Sequence, residues 1–112
     1  MTRVGDFEIT PENLPGGGAV VHVQGELDMA TAPELDEALH GTGFEQRLVI
    51  DLTGCTFLDS SAVRLLVSSV RDSEAAGGSL ELVAPDPGIL KVLEISGVNT
   101  MLPVHTTLED AL

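Results

Sequence analysis

Residues Leu48 to Val67 read LVIDLTGCTFLDSSAVRLLV. Leu48-Val49-Ile50 is a short apolar run of the kind a strand buried on both faces requires. Asp51-Leu52-Thr53-Gly54 breaks it with turn chemistry, and Phe57-Leu58 is a second short apolar dip. Asp59-Ser60-Ser61 follows and leads into Val63, Leu66, Val67 and Val70. Those four are spaced i, i+3, i+4 and i+7, one stripe of an amphipathic helix. The polar triplet therefore falls at a helix N-terminus, beyond the carboxyl end of a strand.

That location has chemical consequences. The first N–H groups of a helix lack intrahelical partners, and the macrodipole adds partial positive charge there. A side-chain oxygen caps such an end, and an anion is tolerated at it. A phosphate esterified to serine here would be accommodated locally and would add about −1.5 to −2 charges to an exposed corner. The plain alternative is a helix cap. One cap needs one such side chain, and Asp59, Ser60 and Ser61 supply three in a row. A capping box is missing, because neither Ala62 nor Val63 is Glu or Gln.

Outward from this stretch, the pattern alternates strand and helix. Asp6 to Thr10 is a strand candidate, Glu12 to Gly18 (ENLPGGG) a turn, and Ala19 to Gln24 a strand, together an antiparallel hairpin. Thr31 reads as an N-cap with Glu34 completing a capping box, and Pro33 is tolerated in the first turn. That helix spans about Ala32 to His40, with Leu35, Ala38 and Leu39 as its stripe, and stops at Gly41 to Gly43. A strand Arg47 to Leu52 and a helix Ser61 to Ala76 follow, the latter closed by Gly77-Gly78. Ser79 to Ala84 is the next strand, and Asp86-Pro87 opens a helix that buries Ile89, Val92 and Leu93. Leu102 to His105 is a last strand; Thr106 and Glu109 cap a terminal stub, Leu108 to Leu112. This alternation predicts an α/β protein: one domain over residues 1–112, a mixed, mostly parallel sheet of four to five strands, and three to four helices. Strand order stays open.

Composition bounds the function. The chain has 112 residues, 43% hydrophobic and only 3% aromatic, enough for one core of Val, Leu, Ile and Ala. Five basic against eighteen acidic residues give −13, a surface that repels nucleic acid and anionic lipid; attraction of a basic protein partner and plain solubility are equal readings of it. No membrane span or signal-peptide core is visible, and the single Cys55 forms no internal disulfide, so a cytoplasmic protein is expected.

In open α/β sheets, sites gather beyond the carboxyl ends of the strands. Gly25 to Thr31 and Cys55 to Ser61 both reach that end and are expected to form one surface, with Glu26 and Asp28 near Ser60. Capping of the first helix is an equal reading of Asp28. Catalysis has little support. Ser60 has neither a G-x-S-x-G elbow nor a glycine-rich oxyanion loop beside it, and His22, His40 and His105 are scattered. No metal spacing is present, and Gly16-Gly17-Gly18 lacks the Lys-Ser/Thr of a P-loop. The expectation is a binding module, not an enzyme, with no metal and no cofactor.

FLDSSAVRLL (Phe57–Leu66), preceded by VIDLTGCT (Val49–Thr56), resembles the signature of the STAS family, the bacterial anti-sigma factor antagonists. Gly25-Glu26-Leu27-Asp28 resembles the second signature of that family, and the resemblance runs over nearly the whole chain. It implies a single STAS-like domain that binds an anti-sigma factor which is also a serine kinase, thereby freeing a sigma factor. The kinase then phosphorylates the antagonist and releases it, and a serine phosphatase resets it. By position the resemblance makes Ser60 the phosphoacceptor, Ser61 a neighbouring contact or cap, and Asp59 the residue that shapes the loop. Asp28, Asp59, Ser61, Ala62 and Arg64 are the residues expected to form the partner-binding surface. Ala62 departs from the glycine that the family commonly carries there, and with Arg64 it changes the surface a partner meets. A second reading within the family is a structural subunit of a transporter complex, docked on its ATPase without a phosphorylation cycle. With no strongly apolar exposed face visible, a monomer is expected.

Overall fold

The computed structural model describes residues 2–112, with side chains from residue 5 onward. Six strands form one sheet in chain order: β1 (Thr2–Val4), β2 (Phe7–Asn13), β3 (Ala19–Leu27), β4 (Arg47–Leu58), β5 (Ser79–Val83) and β6 (Val104–His105). Among the described residues, α1 (Ala32–Thr42), α2 (Ser60–Ala76) and α3 (Pro87–Ser96) connect β3 through β6 in turn, and α4 (Leu108–Ala111) follows β6. β1, β2 and β3 pair antiparallel, whereas β3–β4, β4–β5 and β5–β6 are parallel. The mixed, mostly parallel α/β architecture is the one the alternation implies, with the short β1 as a further strand.

Each crossover steps one strand in the same direction. Right-handed crossovers then put α1, α2 and α3 on one face. That face holds the main core, in which Val21, Leu48, Ile50 and Leu82 meet Leu35, Leu39, Leu66 and Leu93. The opposite face carries only a small cluster, Val20, Val49 and Val83 beneath Ala111 and Leu108 of α4. Leu48 and Ile50 thus look one way and Val49 the other, so the central strand is buried on both sides, as its apolar run requires.

Several local expectations are corrected. β4 does not stop at Leu52 but runs on to Leu58. The turn chemistry is real, because Asp51 Oδ1 accepts from Thr53 N at 3.0 Å, but it makes a bulge and not an end. A second irregularity opposite Gly25 and Glu26 re-aims the strand before it reaches Asp59. β2 runs through Pro11, which lies beyond Ile9, the last residue of β2 that β1 pairs among the described residues, so the missing N–H falls outside the β1–β2 ladder. The buried face of α2 is Ala62, Leu65, Leu66, Ser69, Val70 and Ser73, one position round from the expected stripe. The small residues let the helix lie close to the sheet and leave Val63 and Val67 at its margins. α1 continues through Gly41 to Thr42, and the cap of α4 is Thr107, whose Oγ1 accepts from Asp110 N, in place of Thr106.

Candidate functional site

The carboxyl ends of β3 and β4 lie side by side, with Glu26 opposite Phe57 and Leu27 opposite Leu58. Asp59 N donates to Leu27 O at 3.2 Å, which stitches the start of α2 to the end of β3. The two segments expected at one surface are therefore neighbours in one hydrogen-bonded corner.

On the β4 side, Asp59 is the N-cap of α2 in extended conformation. Its Oδ1 accepts from Ser61 N at 2.8 Å and from Ala62 N at 3.2 Å. A carboxylate thus already occupies the anion seat at the positive end of the helix. These two helix-end amides are thus satisfied by a side chain of the protein itself. Ser60, the first residue of α2, is exposed; Ser61 is half-buried, with Arg64 Nη2 at 3.5 Å from its Oγ. Arg64 is exposed, whereas Ala62 is fully buried and supports the corner from beneath without presenting a surface.

On the β3 side, Asp28 Oδ1 accepts from Ala30 N at 3.0 Å and Thr31 N at 3.1 Å. Thr31 makes no N-cap bond; its Oγ1 accepts from Asp28 N at 2.9 Å and donates to Glu26 O at 2.8 Å. The capping box expected between Thr31 and Glu34 is therefore replaced by a knot in which Asp28 and Thr31 tie the turn before α1. Gly25 makes the approach possible. Its φ is +103°, and a Cβ there would stand 2.9 Å from Asp6 O.

The two serines face different grooves. Ser60 lines a groove between α2 and α3 with Leu58, Val63, Val92 and Ile95. Ser61 lines another between α1 and α2 with Met29, Pro33 and Leu65. Met29 and Ile95, one beside each groove, are 76% and 77% exposed. Sequence reasoning missed these grooves, although Ile95 falls off the buried Ile89–Val92–Leu93 stripe and Met29 sits in a polar turn.

The bare face of the sheet holds a separate network. His22 Nδ1 lies 2.7 Å from Asp51 Oδ2 and its Nε2 2.8 Å from Glu12 Oε1. Desolvation is the largest influence on His22 and pushes its pKa down, but the hydrogen bonds and charges of Glu12 and Asp51 together raise it above the ordinary value. Both ring nitrogens are thus held by carboxylates at mid-sheet, so His22 cannot serve Ser60 as a base. Cys55 is buried with Sγ 3.2 Å from Phe57 O, and burial pushes its thiol pKa up, as for an inert core cysteine. Among the described residues no group of His, Cys, Asp and Glu is placed to hold a metal, and no helix is long and apolar enough to cross a membrane.

A family model described as the STAS domain matches residues 8–111. The chain belongs to the STAS domain family. This STAS domain is 32% identical over 100 residues to the anti-sigma-F factor antagonist RsfB of Mycobacterium tuberculosis, covering 86% of this chain and 80% of that protein. Its fold superposes on the crystal structure of an anti-sigma factor antagonist from Mycobacterium paratuberculosis with a TM-score of 0.78 at 28% identity, covering 98% of this chain and 95% of the other. The anti-sigma factor antagonist SpoIIAA in its unphosphorylated form gives a TM-score of 0.77 at 25% identity, covering 93% and 92% of the two chains. The Bacillus SpoIIAA in its phosphorylated form gives 0.68 at 25% identity, with 93% and 96% covered.

Proposed function

We propose that this STAS domain is an anti-sigma factor antagonist, a regulatory binding protein and not an enzyme. In its unmodified form it binds an anti-sigma factor that is also a serine kinase, and a sigma factor is released. The kinase then transfers phosphate to Ser60, the complex dissociates, and a serine phosphatase restores the hydroxyl. The observation that carries this reading is the exposed Ser60 hydroxyl at the first position of α2, on a corner whose helix-end amides Asp59 already fills. The likeness to antagonists, one of them solved in both phosphorylation states, supports it.

The switch follows from charge placement. A phosphate gains about 0.3–1 kcal/mol from a helix dipole at an exposed end, too little to rebuild a fold. At Ser60 even that gain is opposed by the neighbouring Asp59 carboxylate. Desolvating a doubly charged group in an interface beside carboxylates costs several kcal/mol, and each ~1.4 kcal/mol is tenfold in affinity. Phosphorylation therefore blocks the interface without reshaping it. In this reading Asp28 and Asp59 hold the two halves of the corner, Ser61 and Arg64 border the contact, and Ala62 backs it.

The test is displacement: purified protein is added to complexes of each anti-sigma factor of the same organism with its sigma factor. Wild-type protein releases the sigma factor from one of them, and Ser60→Glu fails to do so. Failure of wild type against every such complex would sink the reading and favour the transporter subunit.

A further inference from the structure

Resting on the antagonist reading, we propose that Asp51, tied to His22, is a positioning residue for the corner. Its carboxylate holds the first bulge of β4, and that bulge decides where Asp59 and Ser60 stand against the end of β3.

Three observations meet at Asp51. The first is register. β3 and β4 pair in step from Ala19 opposite Leu48 to His22 opposite Asp51. The register then shifts before Gln24 meets Gly54, and again before Glu26 meets Phe57. Each shift puts one extra residue into β4. The second is burial. A regular strand turns every second side chain inward, as Leu48, Ile50 and Leu52 do. Past the first shift the inward residues are Cys55 and then Leu58, each a position later than simple alternation gives. A slip of one residue sends every following side chain to the other face, so the bulge chooses what enters the core. The third is bonding. Asp51 Oδ1 accepts from Thr53 N at 3.0 Å and from Thr53 Oγ1 at 2.5 Å, inside the bulge. Asp51 Oδ2 lies 2.7 Å from Nδ1 of His22, its ladder neighbour, and His22 Nε2 lies 2.8 Å from Glu12 Oε1 on β2.

These bonds give the carboxylate a local task. Its side chain is only 10% exposed, so protein donors stand in for its water. It fixes the turn within β4 and ties that turn to β3 at the last step before the registers part. Among the described residues its side-chain bonds go to Thr53 and His22 alone, so it reaches the corner through the backbone. At the far end of that backbone, Leu58 lies opposite Leu27, whose carbonyl accepts from Asp59 N at 3.2 Å. Loss of the extra residue at the first bulge would offer that carbonyl a different amide and carry Ser60 from its place.

The test uses the unmodified full chain with four substitutions: Asp51→Ala, Asp51→Asn, His22→Val and Leu108→Ala. Asn keeps an acceptor for Thr53, Val keeps strand preference while cutting the tie to β3, and Leu108→Ala loosens α4 without touching the β3–β4 pair. Amide signals of Asp59, Ser60 and Ser61 are read by NMR under conditions where each variant is folded, and affinity for the anti-sigma factor that wild type binds is read by calorimetry. Asp51→Ala is expected to shift those signals and weaken binding about tenfold or more, and His22→Val to do the same in smaller measure. Asp51→Asn stays within about threefold of wild type, and Leu108→Ala lowers the thermal midpoint but leaves signals and affinity unchanged. If Asp51→Ala does not fold, His22→Val carries both readouts. Wild-type signals and affinity in Asp51→Ala and His22→Val, or an equal loss in Leu108→Ala, overturn the positioning role and leave the antagonist reading intact. Absence of wild-type binding to any anti-sigma factor overturns that reading, and the amide signals still decide the role of Asp51.

Discussion

Replacement of Asp59 by alanine tests the corner at its smallest working part. The Asp59 carboxylate satisfies the amides of Ser61 and Ala62 at 2.8 and 3.2 Å and faces the positive end of a helix of 17 residues. Loss of an N-cap costs about 0.5–2 kcal/mol, and the dipole contributes about 0.3–1 kcal/mol more for a charged cap. Two amides capped at once place Asp59→Ala at about 1–2 kcal/mol. Asn keeps the acceptor and loses only the charge, so Asp59→Asn is expected to cost about 0.5 kcal/mol. In urea, with a slope of about 1–2 kcal/mol/M, the alanine variant lowers the unfolding midpoint by roughly 0.5–2 M at unchanged slope. The asparagine variant lies between it and wild type. An alanine variant that unfolds within about 0.2 M of wild type would show that the cap contributes nothing, and the reasoning that Asp59 fills the helix end would fall with it.

Two further outcomes follow from groups away from the corner. Ser73 on α2 is buried with no hydrogen-bond partner for its hydroxyl among the described residues. Ser73→Ala should therefore raise stability by about 1 kcal/mol, read as a higher thermal midpoint, and a lower midpoint would reveal a partner. His22 has a folded-state pKa above its unfolded value near 6.5. Its charged pairing with Glu12 and Asp51 thus stabilises fully below about pH 6.5 and is lost as pH rises through the folded value. The stability gap between wild type and His22→Gln should shrink steadily as pH rises from about 6 to about 9 in urea titrations; a gap that widens contradicts the pairing.

Much of this fold is legible in the residues, and the failures share a physical cause. The run Leu48-Val49-Ile50 announces a doubly buried central strand, and Asp59 and Asp86 announce their helices through cap chemistry that the structure bears out. What local pattern cannot supply is tertiary context. Thr53-Gly54 carries turn chemistry, yet pairing with β3 carries the strand through it as a bulge. Thr31 and Glu34 have the spacing of a capping box, yet the Thr31 hydroxyl finds Glu26 O across the turn. The stripe Val63-Leu66-Val67-Val70 has the right period but the wrong phase, because Ala62, Ser69 and Ser73 permit closer contact with the sheet than valine does. The site follows the same logic. The strand-to-helix junction singles out Asp59, Ser60 and Ser61 together, and the choice of Ser60 among them rests on the family resemblance. The apolar grooves beside Ser60 and Ser61 exist only once α1, α2 and α3 are set on one face, and strand order decides that.

The most direct test of the central claim is to incubate the pure protein with ATP and each anti-sigma kinase of the same organism, then map phosphate by mass spectrometry. The corner described above predicts a single phosphate on Ser60, absent from Ser60→Ala, together with loss of binding to that kinase. Phosphate on Ser61 would keep the switch but move it to the other groove; a chain that binds its kinase and is never phosphorylated would contradict the claim.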